Sequence, residues 1–442
     1  MRPRPLRLFS TVPLVCLLAM LGYPDEGAPT EVARPPERTE SVHLTLDLGS
    51  SGTRFCMYPV SIDRSGERAG ERAGERAGER AGERAGERSS DQKRCRVASQ
   101  NPVCVKLSGG IAALVRNHSP EEVPALIGPK LQKAWEALGD SQKKGNLQLR
   151  ERIHGVVALG TGGFRNPSTN LPDPRPEFQA VWAEINRFFK EEVKQEQVVA
   201  RTISGLEEAR LAWLGVAQQI PASVRDSFAI IEVGGASIQF ATSGRSLAYE
   251  DLYAASEYRG QDYVFHKFAP PSGPTAPGFD ACFHPGDRKQ QDGPACMAFL
   301  RANVFSGSSI NQLAYHFTPR RLYGLGAPWL GIFADYPSGP PWALKNDPSY
   351  SPKLSPGNLA RLAERVCKLS DEEIATFAPN AFDLRKNSAT GLGSGKACFT
   401  LSYHAGFLES VVMISQDAAL LPGGDDQWAR GAAVTREFFP DC

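Results

Sequence analysis

Two short stretches share one design, and that design limits the fold more than any other feature of the chain. The first reads Leu44-Thr-Leu-Asp-Leu-Gly-Ser-Ser-Gly-Thr-Arg-Phe55 and the second Ile230-Ile-Glu-Val-Gly-Gly-Ala-Ser-Ile-Gln-Phe240. Each is an apolar strand, an acid, an apolar residue, a turn of small residues and a second strand. Laid over each other, Asp47 meets Glu232, Gly49 meets Gly234, Ser51 meets Ala236 and Phe55 meets Phe240. A repeated strand–turn–strand unit predicts two related half-molecules that face one site.

The turns carry their own chemistry. Glycine tolerates positive φ, so Gly-Ser-Ser-Gly and Gly-Gly-Ala-Ser make tight hairpins whose backbone N–H groups converge on one spot. Such a concavity binds anions, phosphate above all. The phosphate-binding candidates are therefore Ser50, Ser51, Gly52 and Thr53 in the first hairpin. In the second they are Gly234, Gly235, Ala236, Ser237 and Gln239. The acid before each turn repels phosphate but suits a hydrated divalent cation beside it. Asp47 and Glu232 are thus the expected metal positions, holding Ca²⁺ or Mg²⁺ through water.

Two further clusters fall where strands end or helices begin, the places at which α/β proteins build sites. The buried strand Ile153 to Leu159 runs into Gly160-Thr-Gly-Gly-Phe-Arg165, where Thr161, Gly162 and Arg165 all suit an anion. Ser204-Gly-Leu-Glu-Glu-Ala-Arg210 opens a helix through Ala217 and places Glu207 and Glu208 in its first turn. A carboxylate there either favours the helix dipole or serves as general base, drawing a proton from water that attacks phosphorus. Arg54 or Arg165 would offset charge in that transition state.

Along the chain the order alternates. Strands are predicted over Val42 to Leu48, Thr53 to Val60, Lys93 to Val105 and Val198 to Ile203. Helices are predicted over Pro120 to Leu138, Phe178 to Val193, Leu359 to Leu369 and Trp428 to Phe439. Phe399 to Met413 fits strand and helix equally, and residues 255 to 298 read as loop-rich. Strand alternating with helix means an α/β class. Residues 64–90 hold the Gly-Glu-Arg-Ala repeat, with no apolar residue larger than alanine, and read as a solvated loop. Gly391-Leu-Gly-Ser-Gly-Lys396 imitates a phosphate-binding P-loop but is one residue short, and Ala397 stands where Ser or Thr belongs.

The formal net charge of +1 gives no reason to expect nucleic acid as a partner. Arg2, Arg4 and Arg7 precede an apolar run from Leu8 to about Leu21, a secretory signal pattern over residues 1–28. That run is short for a bilayer span, so a secreted chain is expected, extracellular or periplasmic/lumenal, anchored in a membrane only if the segment is retained. Residues 29–40 read as a flexible lead. Beyond Cys16 eight cysteines remain, an even number that argues for disulfides. Cys282 with Cys296 and Cys367 with Cys398 are the expected pairs, while Cys56, Cys95, Cys104 and Cys442 stay unassigned. No CxxC spacing occurs, which argues against zinc.

In this order the motifs resemble one family. Asp47-Leu-Gly-Ser-Ser-Gly-Thr-Arg54, Ser204-Gly-Leu-Glu-Glu208, Gly234-Gly-Ala-Ser-Ile-Gln239 and Trp428-Ala-Arg-Gly-Ala-Ala433 are similar to motifs of the apyrases, or nucleoside triphosphate diphosphohydrolases. Leu322-Tyr-Gly-Leu-Gly326 and Cys398-Phe-Thr-Leu-Ser-Tyr403 resemble that family as well. The resemblance implies two actin-like, ribonuclease H-like domains with the site in the cleft between them. Residues 41–203 plus 414–442 would form the first domain and 204–413 the second. It implies hydrolysis of terminal phosphates of nucleoside tri- and diphosphates, with Ca²⁺ or Mg²⁺. By motif position Glu208 is the base, with Glu207 the fallback. Ser51 and Ser237 fall on phosphate-loop positions and Asp47 on a metal-water position. Glu232 departs from the family's usual Asp, and Thr161-Gly-Gly-Phe-Arg165 from Thr-Ala-Gly-Met-Arg. Glu208-Ala-Arg210 looks instead like the exopolyphosphatase/guanosine pentaphosphatase branch, which makes polyphosphate hydrolysis the alternative. A non-catalytic actin-like nucleotide-binding module is the third reading. Trp428 and the aromatics near Tyr323 are expected to help hold a nucleobase.

Overall fold

Runs of β-branched and aromatic residues lay down eleven strands among the described residues, and these assemble into two sheets. The structure is a computed structural model. It describes residues 39–49, 52–63, 94–98, 102–144, 149–166, 169, 171–221, 228–243, 252–270, 273–283, 291–306, 321–326, 354–370, 373, 397–412, 414–424, 426–440 and 442. The signal pattern, the Gly-Glu-Arg-Ala repeat, the P-loop imitation, Ser50 and Ser51 lie outside them.

The first sheet contains β1 (Thr39–Leu48), β2 (Gly52–Asp63), β3 (Arg94–Val97), β4 (Val103–Ser108), β5 (Ile153–Gly160) and β6 (Val198–Thr202). Its order is β3-β2-β1-β5-β6, with β4 also paired to β2. The second contains β7 (Phe228–Val233), β8 (Ser237–Ser243), β9 (Leu252–Arg259), β10 (Arg321–Leu325) and β11 (Ala419–Gly424), in the order β11-β10-β7-β8-β9. Both sheets follow one plan. An antiparallel hairpin, β1/β2 or β7/β8, is extended by two parallel strands on the side of its first member. The repeat of the two hairpins is therefore a repeat of whole sheets, and the two-sheet α/β class is as the sequence predicts.

Helices fill three layers. Leu44, Leu46, Leu48, Phe55 and Met57 point to one side of the first sheet and pack on α1 (Ile111–Val115), α2 (Val123–Lys144) and α3 (Pro176–Arg187). Ala229, Ile231, Val233 and Ile238 of the second sheet pack on α5 (Gln261–Phe268), α6 (Gly293–Leu300), α7 (Pro356–Cys367) and α8 (Ala397–Phe407). Between the sheets lie α4 (Gly205–Ala217) and α9 (Gln427–Ala432), in one core with Cys56 and Tyr58 of β2 and Phe228 and Ile230 of β7. The two helices cross at backbone contact. A Cβ on Gly215 would fall 1.9 Å from the Gln427 carbonyl, and one on Gly431 1.9 Å from the Leu211 carbonyl. Alternation along a strand then sends Asp47 and Arg54, which are register partners, toward this central layer. It sends the partners Glu232 and Gln239 there from the other side.

Several sequence expectations are corrected. Lys93 to Val105 is not one strand: β3 and β4 are separate and both pair with β2. The segment 255–298, expected as loop, includes the end of β9 together with α5 and α6. Of the stretch left open between strand and helix, Phe399 to Val412 is helical, with Thr400, Ser402 and His404 buried. The closing helix stops at Ala432 and continues as turns. Strand 419–424, assigned with the first domain, is hydrogen-bonded in the second sheet. Trp428 is buried at 2% in the central core, so it packs helices rather than facing a ligand. Tyr323 meets the Phe228 ring edge-on, in the same core.

Four disulfides occur: Cys56–Cys104, Cys95–Cys442, Cys282–Cys296 and Cys367–Cys398. The last two are the pairs read from the sequence. Cys95–Cys442 fastens the end of the chain to β3.

Candidate active site

The site grows from four chain segments that end in the central layer. At the start of α4, Ser204 caps the helix by accepting the Glu207 amide at 3.2 Å on its hydroxyl. Successive residues of a helix diverge by about 100°, so the capped turn sends Glu207 and Glu208 different ways. Glu208 turns inward and is 5% exposed. Glu207 turns outward to Arg201, and Glu437 in turn binds Arg201 and Arg210, each at 2.7 Å. The fallback base is thus engaged in a half-exposed ion-pair network. Arg210, the residue that hinted at polyphosphate, belongs to that network as well.

Beyond β5, the turn Gly162–Phe164 delivers Arg165 into the same layer. Arg165 is almost wholly buried and donates to the Ile203 carbonyl at 3.2 Å, to Glu208 Oε2 at 2.8 Å and to Ser237 Oγ at 2.7 Å. Gln239 Nε2 donates to Glu208 Oε2 at 3.2 Å and to Ser237 Oγ at 2.7 Å. Arg165, Glu208, Ser237 and Gln239 therefore form one closed network fed by both sheets. Gly162 seals it. A Cβ there would come within 2.9 Å of both Ala236 Cβ and Ser237 Oγ, so only glycine lets the two turns touch. Thr161 is buried beside it, its amide donating to the Leu48 carbonyl at 3.4 Å.

Electrostatics mark this place as unusual. Burial pushes the Glu208 carboxyl above its ordinary value, while the charge and hydrogen bond of Arg165 pull it back. Glu232 is pushed up much further, first by burial, then by the charges of Glu208 and Asp47, with Arg54 and Arg165 opposing. Three carboxylates and two guanidiniums thus share one buried field.

The same geometry tests the expected cation. Glu232 Oε2 is covered by protein yet has no hydrogen-bond partner, and two further acids act on it. An orphaned carboxylate oxygen among like charges is what a divalent ion relieves. Among the described residues no three His, Cys, Asp or Glu side chains form a direct ligand set. The donor set accordingly fits Ca²⁺ or Mg²⁺ held through water by Asp47 and Glu232, not a cage of protein ligands.

The remaining candidates divide. Gly52 and Arg54 stand beside Asp47, half-buried. Thr53 does not join them. It alternates to the opposite face of β2, where its hydroxyl is buried without a partner. Gly234, Gly235 and Ala236 form the turn, with the Gly234 amide closing it onto the Ser237 carbonyl at 2.9 Å. Ser50 and Ser51 fall outside the described residues. Sequence reasoning missed Tyr58 and Asp426. The Tyr58 hydroxyl donates to Asp426 Oδ2 at 3.1 Å. Burial raises its pKa well above the usual value, followed by Asp426 and, more weakly, Asp47. Tyr58 lies four residues beyond Arg54 on the same face of β2, a period-two signal present in the sequence.

No family model matches the sequence, and no curated protein matches it. Solved structures do. A PPX-GPPA enzyme of Aquifex aeolicus aligns with a TM-score of 0.50 at 14% identity, over 89% of this chain and 100% of that one. Nucleoside triphosphate hydrolase from Neospora caninum aligns with a TM-score of 0.50 at 13% identity, over 91% of this chain and 93% of that one. The chain thus shares its two-sheet, actin-like α/β architecture with both structures.

Proposed function

We propose that the chain is a divalent-cation-dependent phosphohydrolase that removes terminal phosphates from nucleoside tri- and diphosphates. One observation carries the reading: the Glu208 carboxylate is held by Arg165 and Gln239 where the acids of both hairpins converge. In the proposed reaction a water oxygen attacks the terminal phosphorus as the bridging P–O bond breaks. Glu208 takes the water's proton, and the freed phosphate chain leaves with its electron pair. Ser237 and Gln239, hydrogen-bonded to each other beside Glu208, orient the water. Arg54 and the glycine turns receive phosphate oxygens. A cation held through water by Asp47 and Glu232 would neutralise charge on the transferred phosphate.

A second reading, release of phosphate from polyphosphate chains or guanosine pentaphosphate, is favoured by the likeness to the Aquifex aeolicus PPX-GPPA enzyme. Arg210, which suggested it in the sequence, is paired with Glu437 outside the network. In a binding-only module Glu208 would serve only as the buried ion-pair partner of Arg165, and absence of phosphate release from every substrate would select that reading. The deciding assay is phosphate release from ATP, ADP, UDP and long-chain polyphosphate, each with Ca²⁺, Mg²⁺ or EDTA. Metal-dependent release from nucleotides is expected, and release from polyphosphate alone transfers the enzyme to the second reading. The four disulfides support an oxidising compartment, in keeping with secretion.

A further inference from the structure

The outer strand of the first sheet carries a charge that the proposed reaction does not use. Along β4, Val103, Val105 and Leu107 pack into the helix layer on the far side of the sheet. Alternation therefore turns Cys104 and Lys106 toward the central layer, where Cys104 is bonded to Cys56 of the central core. Lys106 stands two residues nearer the hairpin turn. It is the register partner of Arg54, which is in turn the register partner of Asp47. Cross-strand partners project from the same face of a sheet. Asp47, Arg54 and Lys106 thus form one row across β1, β2 and β4.

From that row the lysine leans toward the turn. A Cβ on Gly52 would lie 3.5 Å from Lys106 Cε, so the end of the side chain lies over Gly52, where β2 begins. Its charge is uncommitted. Arg165 is bound to Glu208 and Arg430 to Asp426, whereas Lys106 is exposed and makes no ion pair or hydrogen bond among the described residues. Most exposed lysines are simply solvated, and position separates this one from them. The buried field next to it holds the acids Asp47, Glu208 and Glu232 against Arg54 and Arg165, a balance that does not by itself attract a polyanion. A cation over Gly52 supplies that attraction, and an ammonium meets phosphate oxygens as a point charge.

We propose that Lys106 is a phosphate-binding residue whose ammonium donates to a non-bridging oxygen of the substrate phosphate lying over Gly52 and Arg54. The proposal rests on the phosphohydrolase reading and deepens it, adding to the first hairpin a residue from a separate strand. The contact is to phosphate alone, so it serves nucleotides and inorganic polyphosphates alike.

The test is calorimetric binding of ATP and of inorganic tripolyphosphate with Mg²⁺ in the Glu208→Gln background, alone and combined with Lys106→Gln, Lys106→Arg or the control Lys133→Gln. Lys133 is exposed on α2, in the helix layer on the opposite side of the sheet. Lys106→Gln should weaken both ligands by about tenfold, in line with the loss of one charge-assisted hydrogen bond, and the difference should shrink as salt rises. Lys106→Arg and Lys133→Gln should bind as the background does. Undiminished binding in Lys106→Gln, a loss confined to ATP, an equal loss in Lys133→Gln, or an affinity that arginine fails to restore overturns the proposal. Phosphate release by the parent chain is measured alongside. If binding follows Lys106 but nothing is hydrolysed, the lysine contact stands and the hydrolase reading falls. If phosphate is released and Lys106→Gln binds as before, the reverse holds.

Discussion

Replacing Arg165 with methionine is the perturbation whose outcome the structure fixes most tightly. The guanidinium is the shared donor of three buried bonds, to Glu208, Ser237 and the Ile203 carbonyl. Methionine fills similar space but leaves Glu208 charged and without its cation. Removing one partner of a buried ion pair costs about 3–5 kcal/mol. Unfolding entropy of about 2.1 cal/mol/K per residue gives roughly 0.9 kcal/mol per degree for 442 residues. Calorimetry should therefore show Tm lower by about 3–5 °C. The double variant Arg165→Met with Glu208→Gln removes the orphaned charge and should recover at least half of that loss. Activity carries an independent mark. Arg165 opposes the upward push of burial on Glu208, so its loss moves the acid limb of kcat/KM to higher pH. A single variant within about 1 °C of the parent, or a double variant no better than the single, refutes the claim that this pair holds the base.

Three further outcomes follow from the same geometry. Glu207→Ala disturbs only the half-exposed network with Arg201 and Glu437, so stability should change by about 0.2–1 kcal/mol and phosphate release should persist. Complete loss of turnover in that variant shifts the base to Glu207. Glu232 has a carboxyl raised well above its usual range by burial. Its protonated form stabilises the fold at low pH, and that contribution is lost as pH rises through the folded value. Glu232→Gln should thus raise Tm at pH 8 more than at pH 4 in metal-free buffer, and an equal shift at both pH values contradicts the assignment. Replacing Cys95 and Cys442 with serine removes a link spanning 347 residues and should cost about 2–5 kcal/mol, seen as a lower Tm with phosphate release retained below it.

The hairpins were legible because period-two alternation, an acid and a small-residue turn are local features, and their repetition announced the two-sheet plan. The residues alone left Glu207 and Glu208 alike, and only motif position preferred Glu208; the helix orientation set by the Ser204 cap and the Arg201 pairing then sends the two acids different ways. Thr53 failed for a one-residue reason: in a strand the next side chain points the other way, and the face that holds Arg54 excludes its neighbour. Trp428 failed because an aromatic beside a helix crossing and one beside a ligand look alike in sequence. The Gly215 and Gly431 contacts that bury it join residues more than two hundred positions apart. Tyr58 and Asp426 were missed because they meet from a strand and a helix 368 residues apart, a contact no local pattern records.

The central claim is that Glu208 draws the proton from the attacking water. Its direct test is Glu208→Gln, which keeps the shape and replaces the carboxylate. Phosphate release from ATP with Mg²⁺ should fall by about a thousandfold, while ATP binding, measured by calorimetry, stays within roughly threefold of the parent. Turnover retained at the parental rate in Glu208→Gln, with binding intact, would contradict the account.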